Sequence, residues 1–285
     1  MKNAFTVDVE DGISIAMRDA FGKKIPQTER VVSNTERVLH LLDKYEVKGT
    51  FFVLGQVARD FPSLIKKISH QGHEVGVHGF NHWTFDKLTP SKARRELTEA
   101  KALIEDTIGK QTFGHRAPAF SVTPETEWAL DVIAEVGFKY DSSIMPCKTR
   151  NFGWPGFSKN IGLIKTKGGN EIIEAPMPVT KVFSKEIPVC GGGYLRLFPQ
   201  WFNRRAFEAI QKSRPMISYI HPYEFDPDRY PDYFFDEMKK GGLKSDLKFK
   251  FIWFKRSTVY GKLEDFLKNY EFDTLWNIMQ NRVNI

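Results

Sequence analysis

Short apolar runs alternate with longer amphipathic segments over the first two-thirds of the chain. A run such as KGTFFVLG (48–55), bounded by turn residues, is typical of a parallel strand buried on both faces. Residues 33–47, 57–72, 89–109 and 123–137 instead repeat apolar positions every three to four residues, which predicts helices. This alternation predicts an α/β fold with parallel strands and right-handed crossovers, closer to a barrel than to a two-part open sheet.

Capping residues give the predicted helices their bounds. Ser33 or Asn34 is expected to cap the first long helix. Thr89 and Pro90 form a favourable start for the helix that Gly109 ends. From about residue 146 to 200 the pattern becomes irregular, and a helix and a strand resume after residue 206. Since no linker or repeat interrupts the chain, we expect one domain over residues 1–285.

Charge and cysteine content narrow the classes of function. The chain carries a net charge of +7, and its densest basic and aromatic stretch, KFKFIWFKR (248–256), is expected to be a strand with one wet face. No nucleic-acid-binding motif accompanies that charge, so we expect no nucleic-acid partner. Cys147 and Cys190 form no CxxC pair and are expected to be reduced thiols. With no apparent signal peptide and no run long enough for a transmembrane segment, a cytoplasmic protein is expected.

Residues with catalytic or metal-binding chemistry recur at the ends of predicted strands. The carboxyl ends of parallel barrel strands form the rim where active sites are built. The residues at these strand ends are Asp8, Glu10, Asp11, His78, His82, His115, Arg116, Asp141 and His221.

A metal site is the sharpest hypothesis at this rim. His78 and His82 stand four residues apart, a spacing that lets two imidazoles bind one Zn²⁺. The place of the general base in the helical HExxH motif is taken by Gly79. Asp8 and Glu10 share one face of a strand, where two carboxylates repel unless a cation or a proton intervenes. One carboxylate can therefore complete a ligand set and the other can act as base; solvated strand-end charges are the alternative.

Five motifs in order support a family resemblance. They are TVDVED (6–11), HGFNH (78–82), RAPAF (116–120), YDSSI (140–144) and YIHP (219–222). With them the chain resembles the polysaccharide deacetylase superfamily, also called NodB-homology or family 4 carbohydrate esterases, and most closely its branch found with exopolysaccharide and O-antigen loci. The match runs from residue 3 to about 225 and leaves about 226–285 as a C-terminal elaboration.

The resemblance implies a fold and a chemistry. The fold is a single-domain distorted (β/α)₇ barrel. The chemistry is removal of acetyl from N-acetylated sugars with a divalent metal, usually zinc. By position in the motifs, His78 and His82 match metal ligands, Arg116 the arginine that orders the catalytic carboxylate, and His221 the general acid. Pro118 matches the proline beside the substrate groove.

The first motif leaves two assignments open. In one, Asp8 is the base and Glu10 the ligand; in the other, Glu10 is the base and Asp11 the ligand. We prefer Asp8 as base. Asp141 falls where the family often has a further acid, and we expect it to hold the proton on His221.

Outside the motifs, an aromatic residue and a glycine-rich loop are candidate substrate contacts. Trp83 is a candidate for stacking on a sugar ring. In CGGGYLR (190–196), Tyr194 and Arg196 are expected to contact substrate.

The residues and the resemblance together predict a metal-dependent N-deacetylase in cell-surface polysaccharide or O-antigen biosynthesis. A cytoplasmic location implies a nucleotide sugar, a small glycan or a lipid-linked intermediate at the inner leaflet as substrate. One alternative is an amidase that acts on a cyclic ureide or imide. The other is a sugar-binding pseudoenzyme with a degraded site.

Overall fold

Parallel strands form the centre of the structure, a computed structural model that describes residues 1–240 and 254–280. The strands are β1 (Asn3–Val9), β2 (Thr50–Val53), β3 (Glu74–Val77), β4 (Gly114–His115), β5 (Tyr140–Asp141), β6 (Gly162–Lys165), β7 (Glu171–Glu174), β8 (Val179–Val182), β9 (Lys185–Pro188), β10 (Ile217–Ile220) and β11 (Phe272–Asp273). The helices are α1 (Gly12–Phe21), α2 (Arg30–Lys44), α3 (Gly55–Asp60), α4 (Pro62–His70), α5 (Pro90–Ile108), α6 (Trp128–Glu135), α7 (Gly192–Leu197), α8 (Gln200–Gln211), α9 (Asp232–Lys240), α10 (Val259–Asn269) and α11 (Leu275–Gln280).

The strand order is that of an open barrel. Among the described residues the main sheet runs β10-β1-β2-β3-β4-β5-β7-β6, with β11 paired to the start of β1. Neighbouring strands are parallel except β6 and β7, and β8 and β9 form a separate antiparallel hairpin. Helices fill the crossovers between β1 and β5. The predicted α/β class and distorted barrel are therefore confirmed.

Alternation along β1 separates the helix-facing core from the barrel interior. Phe5, Val7 and Val9 belong to the large hydrophobic cluster that also contains the apolar faces of the outer helices. Ala4 belongs to a second cluster with Phe52 and with residues of β5, β7 and β10. Because side chains alternate between the two faces of a strand, Thr6 and Asp8 share the inner face with Ala4. The strand therefore delivers Asp8 to the interior near the rim.

The helix caps are predicted correctly in one case and wrongly in another. Thr89 accepts a hydrogen bond from the backbone N–H of Lys92, and Gly109 ends α5 with a left-handed φ of 70°. By contrast, α2 begins at Arg30, so Ser33 and Asn34 lie inside the helix and do not cap it. The spacing of apolar residues therefore predicts that this helix exists, but not the residue at which it begins.

Three further segments differ from the sequence prediction. The helix expected over 57–72 is broken at Phe61, because Pro62 disfavours helical backbone in the residue before it. The segment 146–200, expected to be irregular, contains β6 to β9 and α7. Residues 248–253 of the predicted basic strand lie outside the described residues.

The described C-terminal elements pack on the same core. Leu263 and Phe266 of α10 lie in the helix-facing cluster, while Leu275 and Met279 of α11 lie in the inner cluster. In residues 1–240 and 254–280, no helix combines the length and apolar character needed to span a bilayer.

A half-buried carboxylate, Glu74, ties α11 to the barrel. It accepts hydrogen bonds from the hydroxyls of Thr50 and Tyr140, each at 2.7 Å, and from the backbone N–H of Trp276 at 3.0 Å. Burial raises the pKa of Glu74 despite these donors. The carboxylate therefore joins β2, β3, β5 and the C-terminal helix at one point.

We predict that Glu74→Ala destabilises the fold by about 2–4 kcal/mol, because it leaves three donors without this acceptor, two of them on buried residues. Thermal unfolding of the purified variant measures the loss. Glu99→Ala, which removes an exposed glutamate from α5, is the control and should leave the melting temperature unchanged. An unchanged melting temperature for Glu74→Ala would show that α11 contributes little to the stability of the barrel.

Candidate metal centre and active site

Three side chains from two segments of the chain form the candidate metal centre. In the part of the chain that the structure describes, Glu10, His78 and His82 are the one group of three or more potential ligands whose donor atoms all lie within 4.8 Å of one another. Glu10 follows β1, and the two histidines follow β3. The neighbouring rim positions carry Asp8, Arg116 and His221.

The geometry around Glu10 suits a cation. Its Oε2 atom lies 2.8 Å from Nε2 of His82 and 3.6 Å from Nε2 of His78. Among the described atoms Oε2 is buried and accepts no well-directed hydrogen bond. Burial raises the pKa of Glu10, but the charges of His82 and His221 more than offset this, so the pKa lies well below its usual value. One carboxylate and two imidazoles form a donor set typical of Zn²⁺.

The two histidines differ in how their outer nitrogens are held. Nδ1 of His78 donates to the carbonyl of Arg116 at 2.8 Å, which leaves the Nε2 lone pair free to bind a metal. Nδ1 of His82 accepts from the guanidinium of Arg18 at 2.9 Å, and in a neutral ring this places the proton on Nε2. His78 can therefore bind a metal through Nε2 without any change. His82 must first give up the hydrogen bond from Arg18, so that its ring proton can move from Nε2 to Nδ1.

A loop, not a helix, brings His78 and His82 together. Gly79 has φ of 75° and His82 has φ of 57°, both left-handed, so the chain reverses direction after β3. The two rings meet across this loop, with centroids 5.4 Å apart. A Cβ at position 79 would lie 3.7 Å from Cγ of Pro118, so the predicted groove proline lies against the ligand loop.

Arg116 holds Asp8 inside the barrel. The arginine is fully buried, and NH1 donates to Asp8 at 2.8 Å and to the hydroxyl of Thr6 at 2.7 Å. Its other nitrogens donate to the carbonyl of Ser142 at 3.1 Å and to the Ser142 hydroxyl at 3.0 Å. This arrangement agrees with the predicted arginine that orders a catalytic carboxylate.

Asp11 is occupied elsewhere, which corrects its inclusion among the metal ligands. One carboxylate oxygen accepts from the backbone N–H of Ile13 at 3.0 Å and so caps α1. The other accepts from the backbone N–H of Thr28 at 2.6 Å. With both oxygens hydrogen-bonded to the backbone, Asp11 fixes the loop before α2, and the assignment with Glu10 as ligand and Asp8 as base fits the geometry better.

His221 completes the rim, and Glu224 is its carboxylate partner. Nε2 of His221 lies 3.7 Å from Oε1 of Glu10, and Nδ1 lies 3.3 Å from Oε2 of Glu224. The backbone N–H of His221 donates to the same Glu224 oxygen at 3.0 Å. Burial lowers the pKa of His221, but Glu10 and Glu224 more than offset this and raise it to about 9.

A buried arginine supports Glu224 in turn. Nε of Arg196 lies 3.0 Å from Oε1 of Glu224, and both side chains are almost fully buried. Arg196, predicted to contact substrate, is therefore placed behind the general acid candidate instead of in the open cleft. The sequence analysis missed Glu224, although its position three residues after His221, with Pro222 starting a short 3₁₀ turn, was an available signal.

Asp141 belongs to a different cluster, which corrects its predicted pairing with His221. Its Oδ1 accepts from Nδ1 of His115 and from the hydroxyl of Ser143, both at 2.7 Å, and all three side chains are buried. Neighbouring Glu174 has its pKa raised well above the usual value by burial and by the charge of Asp141. This cluster lies in the barrel wall, at β4, β5 and β7.

The remaining predicted substrate contacts are Trp83 and Tyr194. Trp83 follows His82 and has the cationic groups of Arg18 and Lys24 at 5.6 and 5.7 Å from its ring centroid. Tyr194 lies half-buried on α7, where burial raises the pKa of its hydroxyl.

The predicted reduced thiols, Cys147 and Cys190, are both free and buried.

Comparison with known families divides the chain into two matches. Residues 24–140 match the family described as Polysaccharide deacetylase, and residues 142–280 match a domain of unknown function, DUF3473. A peptidoglycan deacetylase from Helicobacter pylori is 34% identical over 109 residues, which is 38% of this chain and 36% of that protein. The chain spans less than two-fifths of the length of the curated relatives it matches.

Solved structures agree on the fold. A protein from Mycobacterium smegmatis, assigned to the polysaccharide deacetylases, superposes with a TM-score of 0.56 at 21% identity, over 95% of this chain and 92% of its own. Puue allantoinase superposes with a TM-score of 0.57 at 15% identity, over 93% and 90%. Residues 24–140 therefore match the polysaccharide deacetylase family, and the chain as a whole shares the barrel fold of the two solved structures.

Proposed function

We propose that the protein is a metal-dependent deacetylase that hydrolyses the N-acetyl amide of an N-acetylated sugar or glycan intermediate. The observation that carries the proposal is the convergence of the Glu10, His78 and His82 cluster with the Asp8–Arg116 pair and the His221–Glu224 pair on one rim. These three units supply a metal site, a base and an acid. Such an enzyme is a hydrolase of carbon–nitrogen bonds other than peptide bonds.

Glu10, His78 and His82 would hold the divalent metal, for which we propose Zn²⁺ because of the mixed nitrogen and oxygen donor set. When bound, a metal of this kind lowers the pKa of water and polarises a carbonyl oxygen. For the metal to bind, the hydrogen bond from Arg18 to Nδ1 of His82 must break.

Asp8 is proposed as the general base. Arg116 binds one of its oxygens and fixes the plane of the carboxylate, so the other oxygen is oriented to take a proton from the attacking water. Because Arg116 also donates to Thr6 and Ser142, its guanidinium cannot turn away without losing buried hydrogen bonds.

His221 is proposed as the general acid. An amine leaves readily only when it is protonated, and a positioned imidazolium at Nε2 can give that proton to the nitrogen of the breaking amide bond. Glu224 holds Nδ1 on the far side of the ring, and Arg196 holds Glu224. The acid therefore has a fixed ring orientation and a carboxylate that favours its charged form.

For the cellular role, we propose cell-surface polysaccharide or O-antigen biosynthesis in the cytoplasm. The substrates would be nucleotide sugars, small glycans or lipid-linked intermediates at the inner leaflet. The name of the Helicobacter pylori relative supports a glycan substrate. No feature of the site favours a cyclic ureide, and the complete ligand cluster argues against a pseudoenzyme.

The decisive experiment measures acetate release from N-acetylated sugars, nucleotide sugars and oligosaccharides by the zinc-loaded protein, with allantoin as the ureide control. We expect acetate from at least one sugar substrate and no turnover of allantoin. Turnover of allantoin alone would replace the deacetylase proposal with the amidase alternative.

Metal content separates the ligands from the base. We predict about one bound divalent metal per chain, lost in His78→Ala and weakened in Glu10→Gln, because each removes a donor atom. Asp8→Asn and Asp11→Asn should retain the metal, and Asp8→Asn should lose turnover. Elemental analysis after dialysis measures this. His70→Ala, which removes an exposed histidine at the end of α4, is the control. Loss of metal from Asp8→Asn would require the roles of Asp8 and Glu10 to be exchanged.

The pH dependence tests the His221–Glu224 pair. We predict that His221→Ala lowers kcat on an unactivated amide by about 10²–10⁴-fold. An acid must be protonated to act, so activity should be retained below the folded pKa of His221, which Glu224 raises, and lost as pH rises through that pKa. Glu224→Gln removes a charge that raises this pKa, so the alkaline limb should move to lower pH. The pH–rate profiles of the three proteins decide the matter, and an alkaline limb that stays in place in Glu224→Gln would rule out this role for Glu224.

A further inference from the structure

A small polar pocket lies beside the ligand His82. Its volume is about 100 Å³, enough for a substituent but not for a whole sugar ring. The side chains that give the pocket its chemistry are Arg18, Lys24, Gln27, Gln56, Asn81 and Trp83. The pocket joins the candidate active site through Arg18, which contacts His82 and the carbonyl of Asn81.

The charge of the pocket wall is positive. Arg18 and Lys24 line it, and no carboxylate does. The charge of Arg18 is partly balanced by Asp19, whose Oδ1 lies 2.8 Å from Nε of Arg18 and which does not line the pocket. Lys24 is exposed and forms no ion pair with any residue in the described parts of the chain, whereas neighbouring Lys23 is paired with Glu237 at 2.7 Å. The ammonium group of Lys24 is therefore available to an anion.

A series of hydrogen-bonded side-chain amides leaves one acceptor in this pocket without a donor. Gln27 donates to Gln56 at 3.1 Å, and Gln56 donates to Asn81 at 2.9 Å. Asn81 in turn donates to Glu96, which fixes the direction of the whole chain. Oε1 of Gln27 is consequently buried with no hydrogen-bond partner among the described atoms. A buried carbonyl oxygen without a donor favours a ligand that brings a hydroxyl or N–H group.

We propose that this pocket binds an oxyanion substituent, a carboxylate or a phosphate, carried by the N-acetylated glycan. This inference rests on the proposed function and names the class of its substrate. Lys24 and Arg18 neutralise the anion. Gln27 accepts a hydrogen bond from a sugar hydroxyl beside the anion, and Trp83 packs against the sugar ring that carries the anion and the hydroxyl. The protein therefore selects acidic glycans over neutral ones of the same length.

Binding of simple probes tests the pocket without any need for turnover. Isothermal titration calorimetry would compare glucuronic acid, glucose 6-phosphate and glucose on the full chain. We expect at least one charged probe to bind about threefold to tenfold more tightly than glucose, the usual worth of one charged contact at a partly exposed site. This preference should weaken as salt is added. A preference for glucuronic acid alone assigns the carboxylate, and a preference for glucose 6-phosphate alone assigns the phosphate.

Matched lysine variants show whether the pocket is responsible. Lys24→Ala should lose the preference for the charged probe and Lys24→Arg should keep it. Lys23→Ala changes the net charge equally and should also keep it. Equal binding of all three probes to the wild type would overturn the proposal, as would equal losses in Lys23→Ala and Lys24→Ala, which would indicate net charge alone. Since no deacetylation is involved, a protein that releases no acetate but binds charged probes through Lys24 contradicts the proposed reaction and leaves the pocket intact.

Discussion

The buried ion pair between Arg116 and Asp8 is the constraint on which the site depends. A guanidinium inside a protein is tolerated only if a charge and hydrogen-bond acceptors compensate for the lost water. Arg116 meets this condition with Asp8 and Thr6 from β1 and with Ser142 after β5. Its own carbonyl accepts from Nδ1 of His78. One residue thus fixes the base candidate, the tautomer of a ligand and the spacing of three strands, so none of these can shift without the others.

Strand periodicity explains how much of this was predictable from the sequence. A period of two places Asp8 and Thr6 on the inner face of β1, and the rim position of each candidate follows from parallel strands. The pattern therefore predicts a rim position for the metal pair, Arg116 and His221, while their roles come from the resemblance of the five motifs. Periodicity does not say which acid faces which base across the barrel. Asp141 and Glu224 were both within reach of a histidine, and only the packed structure shows that His115 takes the first and His221 the second.

Local backbone geometry accounts for the other differences. Asp11 stands beside Glu10 in the sequence, but the chain turns into α1 at that point, so its carboxylate meets backbone N–H groups instead of the histidines. His82 reaches Glu10 only because Gly79 and His82 adopt left-handed backbone conformations. These are properties of two turns, and a pattern of residue types four apart cannot distinguish such a turn from a helix.

The balance of buried charge supports the proposed cation at Glu10. Two acids at the rim have an arginine partner within the described structure: Asp8 has Arg116, and Glu224 has Arg196. Glu10 has only histidines, which carry charge conditionally, and its Oε2 accepts no well-directed hydrogen bond. A buried carboxylate without a permanent partner is unfavourable unless a proton or a cation joins it. In the proposed enzyme, a divalent cation shared with His78 and His82 would supply this compensation. The same cation would offset the effect of Glu10 on the pKa of His221. Glu224 would then be the carboxylate that keeps this imidazole protonated.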